Sequence, residues 1–562
     1  MKFLKNHKNK FFFIDHNYLV FLLFFIYFVI GLYIYKDYGI SIDEPFQRTS
    51  GNYWYIWILE NFFQNSENLI FLKESFKEMA WSNFFNKGIF LEYGPFFDLL
   101  SAFVENKLSI KDTQSSFHLK HLLNFLTFFY SSIIFYKLLK IRFKNIYLPL
   151  IGTIFFITSP RIFAESFYNC KDIIFMSFSI FSLFFCLKFL QKKKIKHLFL
   201  FSLFAAIATD IRIMGIFLIF LFIVFFILEC FENKSFLRKN IFYLLAIIFS
   251  YIFLTYCFWP FLWIDPINNI IFAFKSFKNY NWGGSVFYLG NYIKGESLPW
   301  HYAPVWIFVT SPIIYIILFV VGFIKNLKDF FKNFLNLDVA GKNKIWTNNN
   351  QKIDFFIFLF FIGPLFSVII FNSTIYGGWR HLYFIYPAMI YILIYGLNYL
   401  LNKKFLFFSK KIIYIIIVFS IIINVQNIFK LHPFQNIYFN AVVEKKANKL
   451  FNIDYWGLAN AHSLNQILDM YKEKDEINLR TASFTPLGYS KKIMKRDDLN
   501  KLKLQGTVDN NQEYIFTNYV YERNPKYTKK YFIPSNYNKI FTLKKGNIII
   551  NEIYKKSDKL KK

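Results

Sequence analysis

Apolar positions along this chain gather into runs too long and too continuous for the one-sided helices of a water-soluble protein. Runs of spanning length fall near 17–35, 119–136, 146–160, 173–190, 197–209, 213–229, 240–258, 304–324, 353–371, 382–401 and 411–427. The first, from Asn17 to Tyr35, is uncharged over 19 positions, which at ~1.5 Å per residue nearly crosses a ~30 Å hydrocarbon layer. It is too long for the apolar core of a signal peptide, and no small-residue cleavage site follows it. The pattern predicts about eleven membrane-spanning helices, beginning with a retained first helix and with the fifth run the shortest.

The polar stretches between the runs alternate in character. "KLLKIRFK" (137–144), "KFLQKKKIK" (188–196), "KNLKDFFKNF" (325–334) and "NKK" (402–404) are basic, which predicts that they face the cytoplasm together with the lysine-rich N-terminus. Segments 36–118, 161–172, 259–303, 372–381 and everything after about 430 then fall outside. The first of these carries the amphipathic pieces "NYWYIWILENFF" (52–63) and "LEYGPFFDLLSAFVENKL" (91–108), whose aromatic content suits interfacial helices. Another holds the aromatic, glycine-bearing stretch "NWGGSVFYLGNYIKGESLPWHYAPVW" (281–306). Beyond 430 the pattern turns polar: "DYWGLANAHSLNQILDMYKEK" (454–474) predicts a capped helix and "EYIFTNYVYE" (513–522) a strand. "KIFTLKKGNIIINEIY" (539–554) predicts a hairpin turning at "KKGN". The expected architecture is an all-α polytopic membrane domain over 1–429, with its first outer loop at 36–118, and a small extracytoplasmic α/β domain over 430–562.

Composition supports the membrane reading. The 562 residues are 55% hydrophobic and 23% aromatic, with 80 Phe and only 18% charged. Soluble proteins carry about 25% charged residues. A net charge of +31 would fit a nucleic-acid partner only if the basic groups shared one face or arm. They sit instead in short loops and the C-terminal tail, so no nucleic-acid partner is expected. The four cysteines, Cys170, Cys186, Cys230 and Cys257, have no metal-site spacing and leave the C-terminal region without a disulfide framework.

Ionisable residues cluster where the predicted helices emerge. Asp43 and Glu44 stand in "YGISIDEPFQRTSGNYW" (38–54), just after the first helix. They read either as solvated charge at a helix exit or as carboxylates shielded from bulk water that accept a proton from a hydroxyl. "SPRIFAESFYNCKDIIF" (159–175) places Arg161, Glu165, Lys171 and Asp172 in one short outer loop between two apolar helices. Snorkelling at helix ends explains Arg161, but Lys171 opens a helix where the dipole disfavours a cation, which suggests a polar cavity. In "YGGWRHLYFIYP" (376–387), Arg380 and His381 enter an apolar helix behind two glycines. An Arg there either snorkels to the headgroups or meets an anion such as a lipid phosphate, which its guanidinium matches. Asp210 and Arg212 in "AIATDIRIMG" (206–215) read as an ion pair at a helix junction or as cavity lining. His301 in "LPWHYAPVW" reads first as structural, and no His/Asp/Glu spacing resembles a dedicated metal site.

An acidic pair after the first helix, a long outer loop with interfacial helices and a polar second outer segment resemble membrane glycosyltransferases of the GT-C type. Within these the chain resembles the dolichyl-phosphate-mannose–protein mannosyltransferase family (glycosyltransferase family 39) and its bacterial relatives. "SPRIFAESFYNCKDIIF", "YGGWRHLYFIYP", the "DE" pair and "LHPFQNIYFNAVV…FNIDYWGLA" (431–458) carry the likeness, which runs over nearly the whole chain. The resemblance implies a sugar donor on a polyprenyl phosphate and an acceptor hydroxyl at the outer face of the cytoplasmic (inner) membrane. It implies inverting displacement with Asp43, or Glu44 beside it, as general base. Lys171, Arg380, His381 and Arg161 would bind the donor phosphate, facing the base across one cavity. Glu165, Asp172, Asp210, Arg212 and His301 would orient the acceptor or sugar. No essential cofactor is implied, and no site demands a divalent metal.

The large inserted outer domain of some eukaryotic members is missing, so the acceptor stays open among protein, lipid and glycan. A transporter or flippase for a lipid-linked sugar is the main rival. Transporters generally carry repeats and broken helices near the midplane, whereas the ionisable residues here crowd one end of the predicted helices. A polymerase or ligase of surface glycans would share the lipid donor but not the acidic pair in this position.

Overall fold

Helix α1 (His16–Ile34) realises the first apolar run, and every other apolar run coincides with helix in this computed structural model. It describes residues 16–64, 69–70, 72–74, 91, 93–233, 235–278, 282–335, 345–403, 409–505, 512–521 and 531–557. The lysine-rich N-terminus and C-terminal tail invoked for the charge reading lie outside the described residues. Among the described residues, α1 is followed by α2 (Glu44–Phe62) and α3 (Phe96–Lys107), and then by the long α4 (Thr113–Arg142). Next come α5 (Tyr147–Ile157), α6 (Pro160–Tyr168), α7 (Asp172–Lys192), α8 (Ile195–Ile211), α9 (Ile216–Glu232), α10 (Phe236–Phe258) and α11 (Pro266–Lys278). After a small hairpin the body is completed by α12 (Tyr302–Thr310), α13 (Ile313–Leu335), α14 (Asn349–Ile370), α15 (Tyr386–Asn402) and α16 (Lys410–Leu431).

Among the described residues, eight helices are long and apolar enough to cross a membrane, or nine if the bent pair α5–α6 counts as one span. The chain is an integral membrane protein. Burial sorts its helices into layers. The apolar windows of α1 and α16 are each only 17% buried, whereas that of Arg380–Asn402 is 83% buried. The first two therefore line the periphery, where exposed Phe and Ile meet lipid, and α15 is the central post. Aromatic rings fill the interior, for example Phe125 on Phe167 at 5.1 Å and Phe128 on Phe156 at 5.1 Å. Such offset stacks add to the packing that holds helices together where lipid leaves little hydrophobic drive. Away from the acidic pair, Arg142 grips Asp354 through two bonds of 2.7 and 2.8 Å, and the Tyr391 hydroxyl donates to Asp354 at 2.6 Å. This ties α4, α14 and α15 together with a paired and hydrogen-bonded charge, the form in which buried charge is tolerated.

The hairpin is β1 (Ser285–Tyr288) with β2 (Asn291–Lys294), and Tyr288 bridges to Phe451. The chain then runs through 431–459 in contact with the helical core, to which Phe434, Ile437, Phe451, Trp456 and Leu458 belong. Only after this does α17 (Asn460–Met470) begin, followed by β3 (Ile477–Thr481), β4 (Leu502–Gln505), β5 (Tyr514–Thr517), β6 (Tyr537–Lys545) and β7 (Ile548–Lys556). The strand order is β4-β3-β5-β7-β6, with β3 parallel to β4 and β5 and the other pairs antiparallel. Leu464, Ile467, Leu479 and Phe516 give this small α/β unit a core of its own.

Several sequence expectations need correction. The segment 161–172 is not a loop: Pro160 starts α6 after a 65° bend, so Arg161 and Glu165 ride on a helix. The run 304–324 is two helices, because Pro312 lacks the N–H to continue α12. The helix expected from 454 starts at Asn460, since the Asp454 carboxylate accepts from the N–H groups of Gly457, Leu458 and Ala459 and winds the chain into a tight turn there. Strands β3 and β4 have no counterpart in the sequence reading, and the strand expected over 513–522 covers only Tyr514–Thr517 among the described residues.

Candidate active site

The acidic pair divides at the start of α2. Glu44 turns inward: Oε2 accepts from the Ser41 N–H at 2.6 Å, and Oε1 pairs with His121 Nε2 on α4 at 2.8 Å. Its side chain is 0% exposed, whereas that of Asp43 is 31% exposed. Glu44 therefore closes the first turn and pins α2 to α4, and Asp43 is the carboxylate left facing open space. The preceding residues are anchored from the far end of the chain, with the Ile42 N–H donating to Trp456 O at 3.1 Å.

Arg380 meets Asp43 directly. Its Nη1 donates to Asp43 Oδ2 at 2.6 Å and lies 3.5 Å from Asp172 Oδ2. The guanidinium is packed among the rings of Tyr376 and Trp456, each centred 4.8 Å away, and Tyr455 at 5.3 Å. Flat aromatic faces around a desolvated cation contribute cation–π attraction. The loop that delivers Arg380 depends on Gly377, whose φ of +67° suits glycine and whose missing Cβ would sit 3.1 Å from Arg380 Cδ and from the Tyr455 ring. Alanine there costs roughly 1–2 kcal/mol for the left-handed backbone alone, and Arg380 has to shift. Gly377→Ala is expected to lower both the melting temperature and the turnover of any reaction using this arginine. Gly283→Ala, where nothing lies within 4 Å of the new methyl, is expected to change neither.

A second arc of charge comes from the break between α6 and α7. Asn169 caps α7, its Oδ1 accepting from the Asp172 N–H at 2.9 Å, while its Nδ2 donates to Asp172 Oδ2 at 3.1 Å and to Glu165 Oε2 at 2.8 Å. Asp172 also pairs with Arg212 from the end of α8. Glu165 is completed by the Trp456 Nε1–H at 2.9 Å and the Tyr383 hydroxyl at 3.2 Å. Lys171 sits between these groups with its Nζ 3.4 Å from the centre of the Tyr93 ring. No carboxylate among the described residues lies within ion-pair distance of it. Burial, and then the Arg212 charge, push the Lys171 ammonium down to about 8.

Of the residues singled out from sequence, Asp43, Lys171, Arg380, Asp172, Arg212 and Glu165 thus form one connected cluster, with Glu44 directly behind it. His381 packs edge-on against Tyr376 at 4.8 Å. Arg161 lies over the rings of Trp306 and Phe439 at 5.7 and 5.5 Å, with Nη2 donating to Tyr438 O at 3.2 Å. Asp210 holds the start of α3 by accepting from the Phe96 N–H at 2.8 Å, and a Cβ on Gly94 would fall 2.1 Å from its Oδ1. His301 is not brought to the cluster; its Nδ1 bonds the Tyr288 hydroxyl at 2.6 Å beside the turn of the hairpin. Among the described residues, no group of three or more His, Cys, Asp or Glu side chains is placed to hold a metal ion. Sequence reasoning missed His121, Asn169, Tyr93, Tyr383, Tyr455 and Trp456. The last two stand inside the quoted "DYWGLA", where an aromatic pair after a capping Asp was the available signal.

Residues 114–259, which run from the first turn of α4 to just past α10, match the family whose description is dolichyl-phosphate-mannose-protein mannosyltransferase. No curated protein sequence matches the chain. Two solved structures of ArnT from Cupriavidus metallidurans are similar to it. The one bound to undecaprenyl phosphate has 9% identity and a TM-score of 0.45, and the apo one 8% and 0.46; each comparison covers 95% of this chain and 97% of the other.

Proposed function

We propose, from the premise that this chain belongs through residues 114–259 to the dolichyl-phosphate-mannose-protein mannosyltransferase family, that it is a membrane glycosyltransferase. It moves a sugar from a polyprenyl-phosphate donor to an acceptor hydroxyl. The observation that carries this reading is Asp43: a part-exposed carboxylate at the mouth of an otherwise buried cluster of cations and acids.

The acceptor oxygen attacks the anomeric carbon and loses its proton to Asp43. The anomeric C–O bond breaks, and its electron pair leaves on the polyprenyl phosphate. Asp43 Oδ2 is held by Arg380, so Oδ1 is the oxygen offered to the proton. Arg380 is bound to two carboxylates, which makes it the group that fixes the base, and Lys171 is the cation open to the leaving phosphate. Arg212, already paired with Asp172, adds positive potential on the same side. Charge stabilisation by preset cations in a shielded site is where such an enzyme gains most of its rate. The site lies at the end of the helical body that carries the α/β unit, and we assign this end to the extracytoplasmic face of the cytoplasmic membrane.

Lys171 sets an upper pH limit. Its depressed value means that the ammonium is charged below about 8 and neutral above it. Affinity for an anionic phosphate therefore falls as pH rises through that value. The free enzyme governs kcat/KM, so kcat/KM for the donor is expected to decline above about pH 8. In Lys171→Arg, which stays charged, the decline is expected to move to higher pH. An unchanged alkaline limb removes Lys171 from the phosphate site. The transferase reading itself is tested by the product: NMR of the glycoside formed from a donor of known anomeric configuration is expected to show inversion. Retention contradicts a single displacement with Asp43 as base.

A further inference from the structure

The glycine-bearing stretch 281–306 and the α/β unit have no part in the chemistry described so far, yet both converge on Arg380. Trp282, just before β1, stacks on Tyr376 with ring centres 4.4 Å apart and planes 17° from parallel. Tyr376 is in turn one of the rings against which Arg380 lies, at 4.8 Å. The hairpin is shaped to hold this indole. At its open end the Gly295 N–H donates to Gly284 O at 3.1 Å, and the indole rests against both glycines. A Cβ on Gly284 would fall 2.5 Å from Trp282 Cζ2, and one on Gly295 would fall 2.6 Å from Trp282 Cε3.

The α/β unit reaches Trp282 as well. Val520, Tyr521 and Tyr531 form a small buried cluster, and Trp282 packs against it. The first two belong to segment 518–521, which follows β5 and is bent sharply. Tyr519 and Tyr521 have φ of +64° and +68°, left-handed values that bulky side chains rarely adopt. Such backbone persists only where its surroundings over-determine it, and it collects at functional sites. Here Asn518 does the holding: its Oδ1 accepts from the Val520 N–H at 3.3 Å and its Nδ2 donates to Asp454 O at 3.0 Å. The Phe484 N–H donates to Val520 O at 3.1 Å and closes the bend. Asp454 is the residue whose carboxylate winds the turn that presents Tyr455 and Trp456 to Arg380. One segment of the α/β unit therefore grips both halves of the cage, Tyr455 and Trp456 through Asn518, and Tyr376 through Trp282.

We infer that Trp282 and Asn518 are positioning residues for Arg380. Segment 518–521 holds the aromatic cage, the cage aims the guanidinium, and the guanidinium fixes Asp43. A guanidinium carries its donors in one plane, so the rings that set the plane also set the direction in which Nη1 meets Asp43 Oδ2. The catalytic consequence rests on the transferase reading; the mechanical link between the α/β unit and Arg380 does not.

The test uses the full-length protein in nanodiscs with its arginines labelled with nitrogen-15. The Arg380 Nε–H resonance is assigned by its loss in Arg380→Lys, and its position reports the ring currents of the cage. Trp282→Leu and Asn518→Ala are each expected to move it. Asn518 carries no ring, so a shift in Asn518→Ala records movement of the cage itself. Trp300→Leu, at an exposed tryptophan of the same stretch, is expected to leave the resonance in place. Donor turnover is followed in the same preparations. In Trp282→Leu kcat is expected to fall about tenfold or more, within the ~10²-fold that a misplacement of about 1 Å can cost, with donor KM little changed. Trp282→Phe keeps a flat ring on Tyr376 and is expected to lose less; it is the variant used should Trp282→Leu fail to fold. In Arg380→Ala nothing remains to be aimed, so adding Trp282→Leu is expected to cost less than about twofold more. An Arg380 resonance unmoved in folded Trp282 and Asn518 variants, or equal fold-losses with and without Arg380, overturns the inference and leaves the transferase. No donor turnover by wild type, with the resonance still displaced in Asn518→Ala, keeps the link and overturns its catalytic consequence.

Discussion

Asp43→Asn is expected to reduce sugar transfer by about 10²–10⁴-fold, the usual contribution of a positioned general base. The amide keeps the size of the carboxylate and still accepts a hydrogen bond from Arg380, but it does not take the acceptor proton. The loss should appear in kcat, measured as released polyprenyl phosphate, with little change in donor KM. Folding should be spared, because the residue that closes the first turn of α2 is Glu44, through Ser41 and His121. Glu44→Gln provides the contrast. It weakens a buried contact to α4 and should lower the melting temperature more than Asp43→Asn does. Equal turnover by wild type and Asp43→Asn would remove Asp43 from the chemistry.

Arg380→Ala is expected to be as damaging for a different reason. It deprives Asp43 and Asp172 of their shared cation at a 2% exposed position. Removing one partner of a buried charge pair typically costs about 3–5 kcal/mol, so the melting temperature should fall. The base also loses the group that aims it, and kcat should drop by about 10²-fold or more. Arg380→Lys keeps the charge but loses the planar fork that spans two carboxylates and lies between aromatic rings, so it should recover only part of the loss. Added guanidinium ion separates positioning from mere folding. It should enter the vacated space between Tyr376 and Trp456 and restore activity to Arg380→Ala, and it should do nothing for Asp43→Asn. Failure of rescue in a folded Arg380→Ala protein would mean that the arginine does not act through Asp43.

The membrane architecture was legible because lipid demands continuous apolar helix, and each run from 17–35 to 411–427 became helix. Breaks inside runs were not, since hydropathy does not register a proline that starts a new helix at Pro160 or ends one before Pro312. In the candidate site, the charged members stood out because charge is scarce in such a chain. Which of two neighbouring acids faces open space depends on His121, whose approach to Glu44 is a tertiary contact between residues 77 positions apart. The aromatic cage of Arg380 was hidden for a similar reason. Tyr455 and Trp456 looked like parts of a helix, and only the Asp454 turn bends them onto a guanidinium that precedes them by 75 and 76 residues. Strands β3 and β4 are four or five residues long and flanked by charge, too short to declare a period.

A transferase of the proposed kind must break the bond between a sugar and a polyprenyl phosphate. The most direct measurement uses proteoliposomes of uniform orientation, loaded with a donor labelled on both sugar and lipid, and follows the two labels separately. Free polyprenyl phosphate is expected to accumulate with wild-type protein while the sugar label appears on an acceptor. Labelled lipid that crosses the bilayer with its sugar still attached, with no free polyprenyl phosphate formed, would contradict the proposal and identify a transporter.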